Sequence, residues 1–377
     1  ASPNGLFMQA LASGRGYEMV RYAKHFMKNF HPRYTPIDTL MTKALDRGFD
    51  LWNKLFDDTF GWRNIGTPRL WPWILKDPPP ARPAVLVRNP YYWKVDPEGN
   101  QLPYIDRMTF DIYDAETINF KAINGEMGMQ ARHLSMQNYP LFMENREKGG
   151  YRVNHWISPD MGYNAIGLNQ NHHDPFMKKI IQDRRFRIAL SHSINRIELS
   201  EAGYFGKAQP RQVAPLPTSP YYSEALEKAY LSYDPALSRR MLDEMGLTEM
   251  NEKGQRLRPD GEPIVIRLET TSLNSLVLEL VSSYFTAVGV QTEIKEEARQ
   301  LFYERKRGTL HDGGIWGAGN GQSPLVDPRA HVPFSDESIF AVDYARWFRT
   351  DGKRGERPPD DIVRCIELYR EIERTPD

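Results

Sequence analysis

The sequence is short of cysteine, of net charge and of long apolar runs. Cys365 is the one cysteine in 377 residues, so neither an intrachain disulfide nor a zinc site with several thiolates can form. The 49 Lys and Arg residues balance 49 Asp and Glu residues, which argues against nucleic acid or an anionic membrane surface as the main partner. No apolar run approaches the ~18 residues of a membrane span.

The first residues, 1–5, contain no basic or apolar run of the kind that opens a signal peptide. This start fits either a cytoplasmic protein or an exported protein that has been cut to a shorter chain. The length suits about two domains at ~150 residues each.

Aromatic residues are plentiful, at 12% of the chain with 8 Trp and 19 Tyr. Most such rings fill cores, but a ring in a loop or at a strand end can also stack on a sugar or an apolar group. Trp316 is the strongest candidate for such a contact. Glycines flank the pair Ile315-Trp316, so no neighbour in the chain packs against this large ring.

Periodicity predicts a mixed α/β protein. Apolar strands at 264–269 and 290–295 enclose an amphipathic helix at 274–288, the pattern of a βαβ unit. Alternation with period two predicts further strands at 151–157 and 163–169. The remaining predicted elements are helices at 184–197, 236–245, 301–307 and 359–374, a hairpin-like excursion at 248–262, and strands at 84–88 and 108–113 in an otherwise extended, proline-rich segment.

Motifs for catalysis or metal binding are weak. Adjacent residues on an extended segment point in opposite directions, so His172 and His173 are poorly placed to share a metal; a turn capped by Asp174-Pro175 is favoured. HExxH, GxSxG, GxGxxG and Walker motifs are absent from the sequence. No carboxylate pair is singled out for glycoside hydrolysis. We therefore expect no metal and no cofactor.

Three segments carry a family resemblance. They are NPYYWK at 89–94 with LPYIDR at 102–107, DRRFRIALS at 183–191 with INR at 194–196, and YDP at 233–235 leading to LDEMGL at 242–247. In order and spacing the chain resembles the bacterial extracellular solute-binding proteins of family 5, the receptors of oligopeptide, oligosaccharide and nickel ABC importers.

The resemblance implies an α/β fold of the periplasmic-binding-protein type II class, a two-lobe clamp. It places residues 1–112 in lobe I, 113–317 in lobe II and 318–377 in the return to lobe I. Lobe I is then incomplete, because family members are longer, and we expect the chain to be a fragment. The hinge is expected near 110–114 and 313–318.

The resemblance also implies a ligand site between the lobes. Trp316 is the predicted contact with Asn320 as a polar partner, and Tyr163 and Asn164 are weaker candidates. Peptide-binding members have an Asp after the crossing strand that holds the ligand's amino terminus. Here residues 317–320 read Gly-Ala-Gly-Asn and the next Asp is Asp327, which leaves room for a sugar-like ligand.

The leading hypothesis is the substrate-binding component of an ABC importer that captures an oligopeptide or a small oligosaccharide without catalysis. Its partners would be the solute and the membrane permease subunits, not nucleic acid. Its location would be periplasmic or extracellular, held at the membrane by the transporter or by a lipid anchor absent from this chain. The alternatives are a hydrolase such as a glycosidase with an aromatic-lined cleft, and a protein-interaction module.

Overall fold

The computed structural model describes residues 22–162, 164–271, 275–338 and 340–375. These residues form two compact units. The C-terminal unit holds residues Ser135–Glu144 and 152–375, and the N-terminal unit holds residues 22–134 and Asn145–Tyr151. The lobe boundaries at 112 and 317, which concern a longer protein, stay a prediction.

The N-terminal unit combines short helices with a three-stranded antiparallel sheet of order β1-β2-β3. Its second strand occupies the predicted range 84–88, whereas the third ends at Phe110, before the predicted end at 113. The first strand was not predicted, because prolines border it on both sides. The elements are α1 (Lys24–Met27), a 3-10 turn (Lys28–Phe30), α2 (Ile37–Asp46), α3 (Trp52–Phe60), β1 (Trp73–Asp77), β2 (Ala84–Arg88), β3 (Arg107–Phe110) and α4 (Ala115–Ile123).

The C-terminal unit is built on a four-stranded sheet of order β4-β7-β5-β6. Its strands are β4 (Ala165–Leu168), β5 (Val265–Thr270), β6 (Gln291–Glu296) and β7 (Gly313–Trp316). Strands β5 and β6 run parallel and are joined by helix α11 (Ser275–Ala287), which confirms the predicted βαβ unit. Strand β7 is parallel to β5, and β4 is antiparallel to β7.

Helices surround this sheet, and several begin at the acidic or amide side chains that the sequence offers as caps. Asp174, Asp183 and Asp234 each accept a hydrogen bond from a backbone N–H in the first turn that follows. The helices are α5 (Tyr139–Gly149, shared between the units), α6 (Pro175–Gln182), α7 (Arg184–Ser193), α8 (Arg196–Tyr204), α9 (Glu224–Glu227), α10 (Pro235–Glu244), α12 (Arg299–Arg307), α13 (Val342–Arg349) and α14 (Asp360–Arg374), with a 3-10 turn at Met136–Asn138.

The main hydrophobic core lies between the sheet and helices α6, α7, α10 and α11. Phe186 and Ile266 are fully buried within it. The excursion at 248–262 forms the expected hairpin-like bridges, Met250 with Arg256 and Leu257 with Pro263. Across the described ranges, no helix combines the length and the apolarity that crossing a membrane requires.

Two predictions of secondary structure were wrong. The helix expected at 184–197 is two helices, because Ile194 is extended (φ −83°, ψ 119°) and the Asn195 side chain caps α8 by accepting from the N–H of Glu198. The strand expected at 151–157 does not form. Its alternating pattern lacks a partner strand, and Ile157 is 91% exposed.

The pairing of β4 with β7 continues beyond both strands. Backbone hydrogen bonds join Ala318 N to Gly162 O (2.9 Å), Met161 N to Gly319 O (3.0 Å) and Gly321 N to Pro159 O (2.7 Å). The segments 159–162 and 165–168 therefore both pair antiparallel with residues of 313–321, and this pairing is called the crossing ladder below. Gly319 has φ +95° within it, and a Cβ there would lie 2.9 Å from the carbonyl oxygen of Asp327.

We expect Gly319→Ala to lower the free energy of unfolding by about 2 kcal/mol or more, since a left-handed backbone costs a residue with a Cβ ~1–2 kcal/mol before any clash. Gly254→Ala is the matched control. Gly254 also has a positive φ of +74°, but a Cβ there meets nothing within 4 Å. Urea unfolding of both variants measures the difference, and equal losses would show that the contact with Asp327 has no energetic weight.

Candidate functional site

Trp316, at the carboxyl end of β7, is held by side chains of α12. Its ring stacks on Phe302 with centroids 5.5 Å apart and planes 14° apart, and the Tyr303 ring meets it at 5.6 Å and 79°. The Arg299 guanidinium lies 5.2 Å from the ring centroid. No chain neighbour packs Trp316, as the glycines predict, but α12 fixes its orientation. The half-buried ring is thus a preorganised aromatic surface.

The other predicted site residues gather at the same end of the crossing ladder. Asn320 pairs with Asp160 in a backbone bridge, and Ala165, next to Asn164, pairs with Trp316. Tyr163 lies outside the described residues. The ladder therefore places Trp316, Asn320 and Asn164 on paired segments, but Asn164 lines a pocket that Trp316 does not line. Their role as ligand contacts stays a prediction.

Both asparagine side chains already make local hydrogen bonds. The Asn320 Oδ1 accepts from the backbone N–H groups of Gln322 (2.9 Å) and Ser323 (3.1 Å), which closes a turn. The Asn164 Nδ2 donates to the Tyr204 hydroxyl at 2.6 Å. A ligand at either residue would therefore meet the other polar atom of the side chain, the Nδ2 of Asn320 or the Oδ1 of Asn164.

Sequence reasoning missed Asp160, a half-buried carboxylate beside the crossing ladder. A Cβ on Gly317 would lie 3.4 Å from the Asp160 Oδ2, so the carboxylate sits against the strand that carries Trp316. Burial raises the pKa of Asp160; the charge of Arg329 opposes this shift, and that of Asp327 adds to it. Nothing local in the sequence marks Asp160, because its neighbours in space come from residues far along the chain.

Asp327, the first Asp after β7, forms an ion pair with Arg329. The guanidinium meets Asp327 through two hydrogen bonds of 2.8 Å and 2.5 Å and also donates to the Glu337 Oε2 at 3.0 Å. The Tyr303 hydroxyl donates to the same Glu337 oxygen at 3.2 Å. This ion-pair network connects the aromatic surface to the loop after β7. Asp160, by contrast, has no ion pair with any residue that the structure describes.

The histidine pair forms a structural turn. The His172 Nδ1 accepts from the N–H of Asp174 at 3.0 Å, and its Nε2 bonds to the Asp312 Oδ1 at 3.0 Å. Asp174 caps α6, with Pro175 in the first turn, so the predicted capped turn is confirmed. Within the described ranges, no group of three or more His, Cys, Asp or Glu side chains could hold a metal ion.

Comparisons with known proteins identify relatives of this chain. The family described as bacterial extracellular solute-binding proteins, family 5 Middle, matches residues 32–334. A periplasmic alpha-galactoside-binding protein of Rhizobium meliloti (strain 1021) is 23% identical over 244 residues, which are 61% of this chain and 32% of that protein.

Two solved structures extend the comparison. The oligopeptide-binding protein OppA is 36% identical with a TM-score of 0.63, covering 100% of this chain and 63% of its own. MelB of Agrobacterium fabrum C58, solved with stachyose, is 15% identical with a TM-score of 0.59, covering 93% and 54%. The chain thus spans about a third of the curated relative and under two thirds of these structures. The likeness confirms the predicted periplasmic-binding-protein type II fold.

We expect Asp160→Asn to raise the thermal unfolding temperature at pH 7. A raised carboxyl pKa means that the folded state prefers the protonated acid, so the wild type loses stability as pH rises from the ordinary carboxyl pKa through the raised one. The amide has no such cost. The difference in unfolding temperature between Asp160→Asn and wild type should therefore shrink as the pH is lowered toward 4. Thermal unfolding across this pH range will measure it.

Asp327→Asn is the matched control for this experiment. It removes a carboxylate that Arg329 binds through two hydrogen bonds, so it should lower stability at pH 7. If Asp160→Asn also lowered stability at pH 7, the ionised Asp160 would have a stabilising partner. That result would contradict a raised pKa of Asp160 in the folded state.

Proposed function

Because the chain belongs to the bacterial extracellular solute-binding proteins of family 5, we propose that it is the substrate-binding component of an ABC importer. Its solute is an oligopeptide or a small oligosaccharide, and its membrane partners are the permease subunits. The protein works in the periplasm or outside the cell, at the membrane through the transporter or a lipid anchor. The names of an alpha-galactoside-binding relative and of OppA support these two solute classes.

The observation that carries the proposal is the fixed ring of Trp316. Phe302 stacks against it and Arg299 lies over it, so the ring loses little conformational freedom when a ligand arrives. An exposed aromatic surface stacks equally well on the apolar face of a sugar or on an apolar side chain. Ligand sites of this kind pair such surfaces with a few polar groups, and Asp160, whose carboxylate lies against Gly317 next to Trp316, provides one.

Asp160 separates the two solute classes. A half-buried carboxylate with a raised pKa would bind the ammonium group of a peptide strongly, because the pair forms in a partly desolvated place. It would accept hydrogen bonds from sugar hydroxyls more weakly. Titration of stachyose, raffinose and defined tri- to pentapeptides against wild type and Asp160→Asn will therefore show which class the site takes: a large loss in the variant indicates peptide.

We expect Trp316→Ala to weaken solute binding by about 1–3 kcal/mol, roughly 5- to 150-fold, the scale of a lost aromatic contact. Trp316→Phe keeps a stacking ring and should lose less. Isothermal titration calorimetry with whichever solute of the panel binds will measure both. Trp62→Ala, at a tryptophan 50% exposed in the N-terminal unit, is the control for nonspecific effects of removing an indole.

Unchanged solute affinity in Trp316→Ala would remove this ring from the site. A loss of equal size in Trp62→Ala would show that the effect is not specific to the crossing ladder.

We propose that this binding is not followed by a reaction. Asp327 and Glu337, the carboxylates nearest to the aromatic surface besides Asp160, are held by Arg329, and a glycosidase needs two carboxyl groups that converge on one bond. Incubation with a chromogenic α-galactoside should give no turnover, while the binding solute raises the unfolding temperature. Turnover that a single change, Asp160→Asn, abolishes would support the glycosidase instead.

A further inference from the structure

A second recess lies in the C-terminal unit, and Trp316 does not line it. It is a pocket of about 580 Å³ between strands β4 and β7, helices α7, α8 and α11, and the segment 208–213. Most of its wall is apolar. The apolar side chains include Ile166, Leu199, Val281, Phe285 and Ile315.

The charged side chains on the pocket wall are all of one sign. Arg184, Arg187, Arg196 and Arg211 line it, and none of the described lining residues is Asp or Glu. These arginines form hydrogen bonds within the protein. Arg187 donates to the carbonyls of Ile181 and Gln182, and Arg184 donates to the Tyr230 hydroxyl. Arg211 donates through its Nη2 to the carbonyls of Ala214 and Pro215. Arg196 is the lining arginine whose hydrogen bonds reach toward Ser191, on the wall of the pocket itself.

Arg196 is a half-buried guanidinium that has no ion pair with a carboxylate among the described residues. Its Nη1 and Nη2 donate to the carbonyl and the hydroxyl of Ser191, both at 2.8 Å, and burial lowers the pKa of Arg196 to about 10 with no nearby charge to oppose it. Removing a charge from water without a counter-ion costs free energy. An anion in the pocket would offset this cost.

Arg211 approaches the same point from the segment 208–213. The Gln212 Nε2 donates to the Ser191 Oγ at 2.9 Å, the atom that also accepts from Arg196. Arg211 lies 3.1 Å from the Glu227 carboxylate through its Nη2, but its Nε is buried and has no hydrogen-bond partner within the described residues. This end of the pocket thus holds one buried guanidinium donor without a partner among the described residues, the Arg211 Nε, beside the charge of Arg196.

We propose that this pocket binds an amphipathic monocarboxylate, with the carboxylate against Arg196 and Arg211 and the alkyl chain against the apolar wall. Guanidinium groups pair well with carboxylates because their planar donors match the two oxygens. The apolar wall favours a ligand with a single charged end, since a small, multiply charged anion would leave this wall unfilled. This ligand would be bound in addition to the transported solute.

Octanoate is the probe. Calorimetry should show saturable binding, and octanoate should raise the thermal unfolding temperature. Octanol and octylammonium, which have the same chain without the negative charge, and acetate, which has the charge without the chain, should each bind at least about tenfold more weakly. Arg196→Met, which keeps much of the side-chain volume, should weaken octanoate binding about tenfold or more. Trp316→Ala should leave it unchanged.

Arg211→Gln provides a second test if Arg196→Met does not fold, as circular dichroism will show, and it should also weaken octanoate binding. The proposal is overturned if octanoate shows no saturable binding, if octanol binds equally well, or if the arginine variants that fold keep wild-type affinity. Loss of octanoate binding in Trp316→Ala would place the fatty acid at the crossing ladder and overturn it as well. Because the solute site is tested with sugars and peptides, either proposal can fail alone.

Discussion

The crossing ladder is the interaction on which the arrangement of the C-terminal unit depends. Backbone hydrogen bonds along 159–162, 165–168 and 313–321 set β4 beside β7, and β7 in turn pairs with β5 of the βαβ unit. Such close pairing needs small residues: a Cβ on Gly313 would lie 2.8 Å from Leu268. The glycines that flank Ile315-Trp316 therefore belong to the crossing ladder, which fixes the position of the Trp316 backbone.

Charge is balanced over the whole chain, but two charged groups of the C-terminal unit have no ion pair among the described residues. Asp160 lies beside the crossing ladder and Arg196 lines the pocket between β4 and the helices, whereas Asp327 is paired with Arg329. A charge that is removed from water without a partner lowers the stability of the protein, and a ligand of opposite charge would offset this cost. Zero net charge thus says little about the ligands that such a protein selects.

The sequence alone predicted the βαβ unit, most of the helices of the C-terminal unit and the family. Asp174, Asp183 and Asp234 begin helices because a short side chain caps the N–H groups next to it in the chain. The βαβ unit followed from periodicity, and the motifs identified the family 5 solute-binding proteins, whose model covers most of the chain. Trp316 stood out because glycines leave a large ring without local packing.

Only the tertiary structure decided which distant residues meet. Alternation at 151–157 resembles a strand, but no partner pairs with it, whereas the shorter β4 finds β7. Asp160 and the pocket arginines carried no signal, since their surroundings come from segments far apart in the chain. Caps and periodicity act over a few residues and can be read in sequence. Strand pairing and burial of charge depend on the completed fold, because its packing determines which groups leave water.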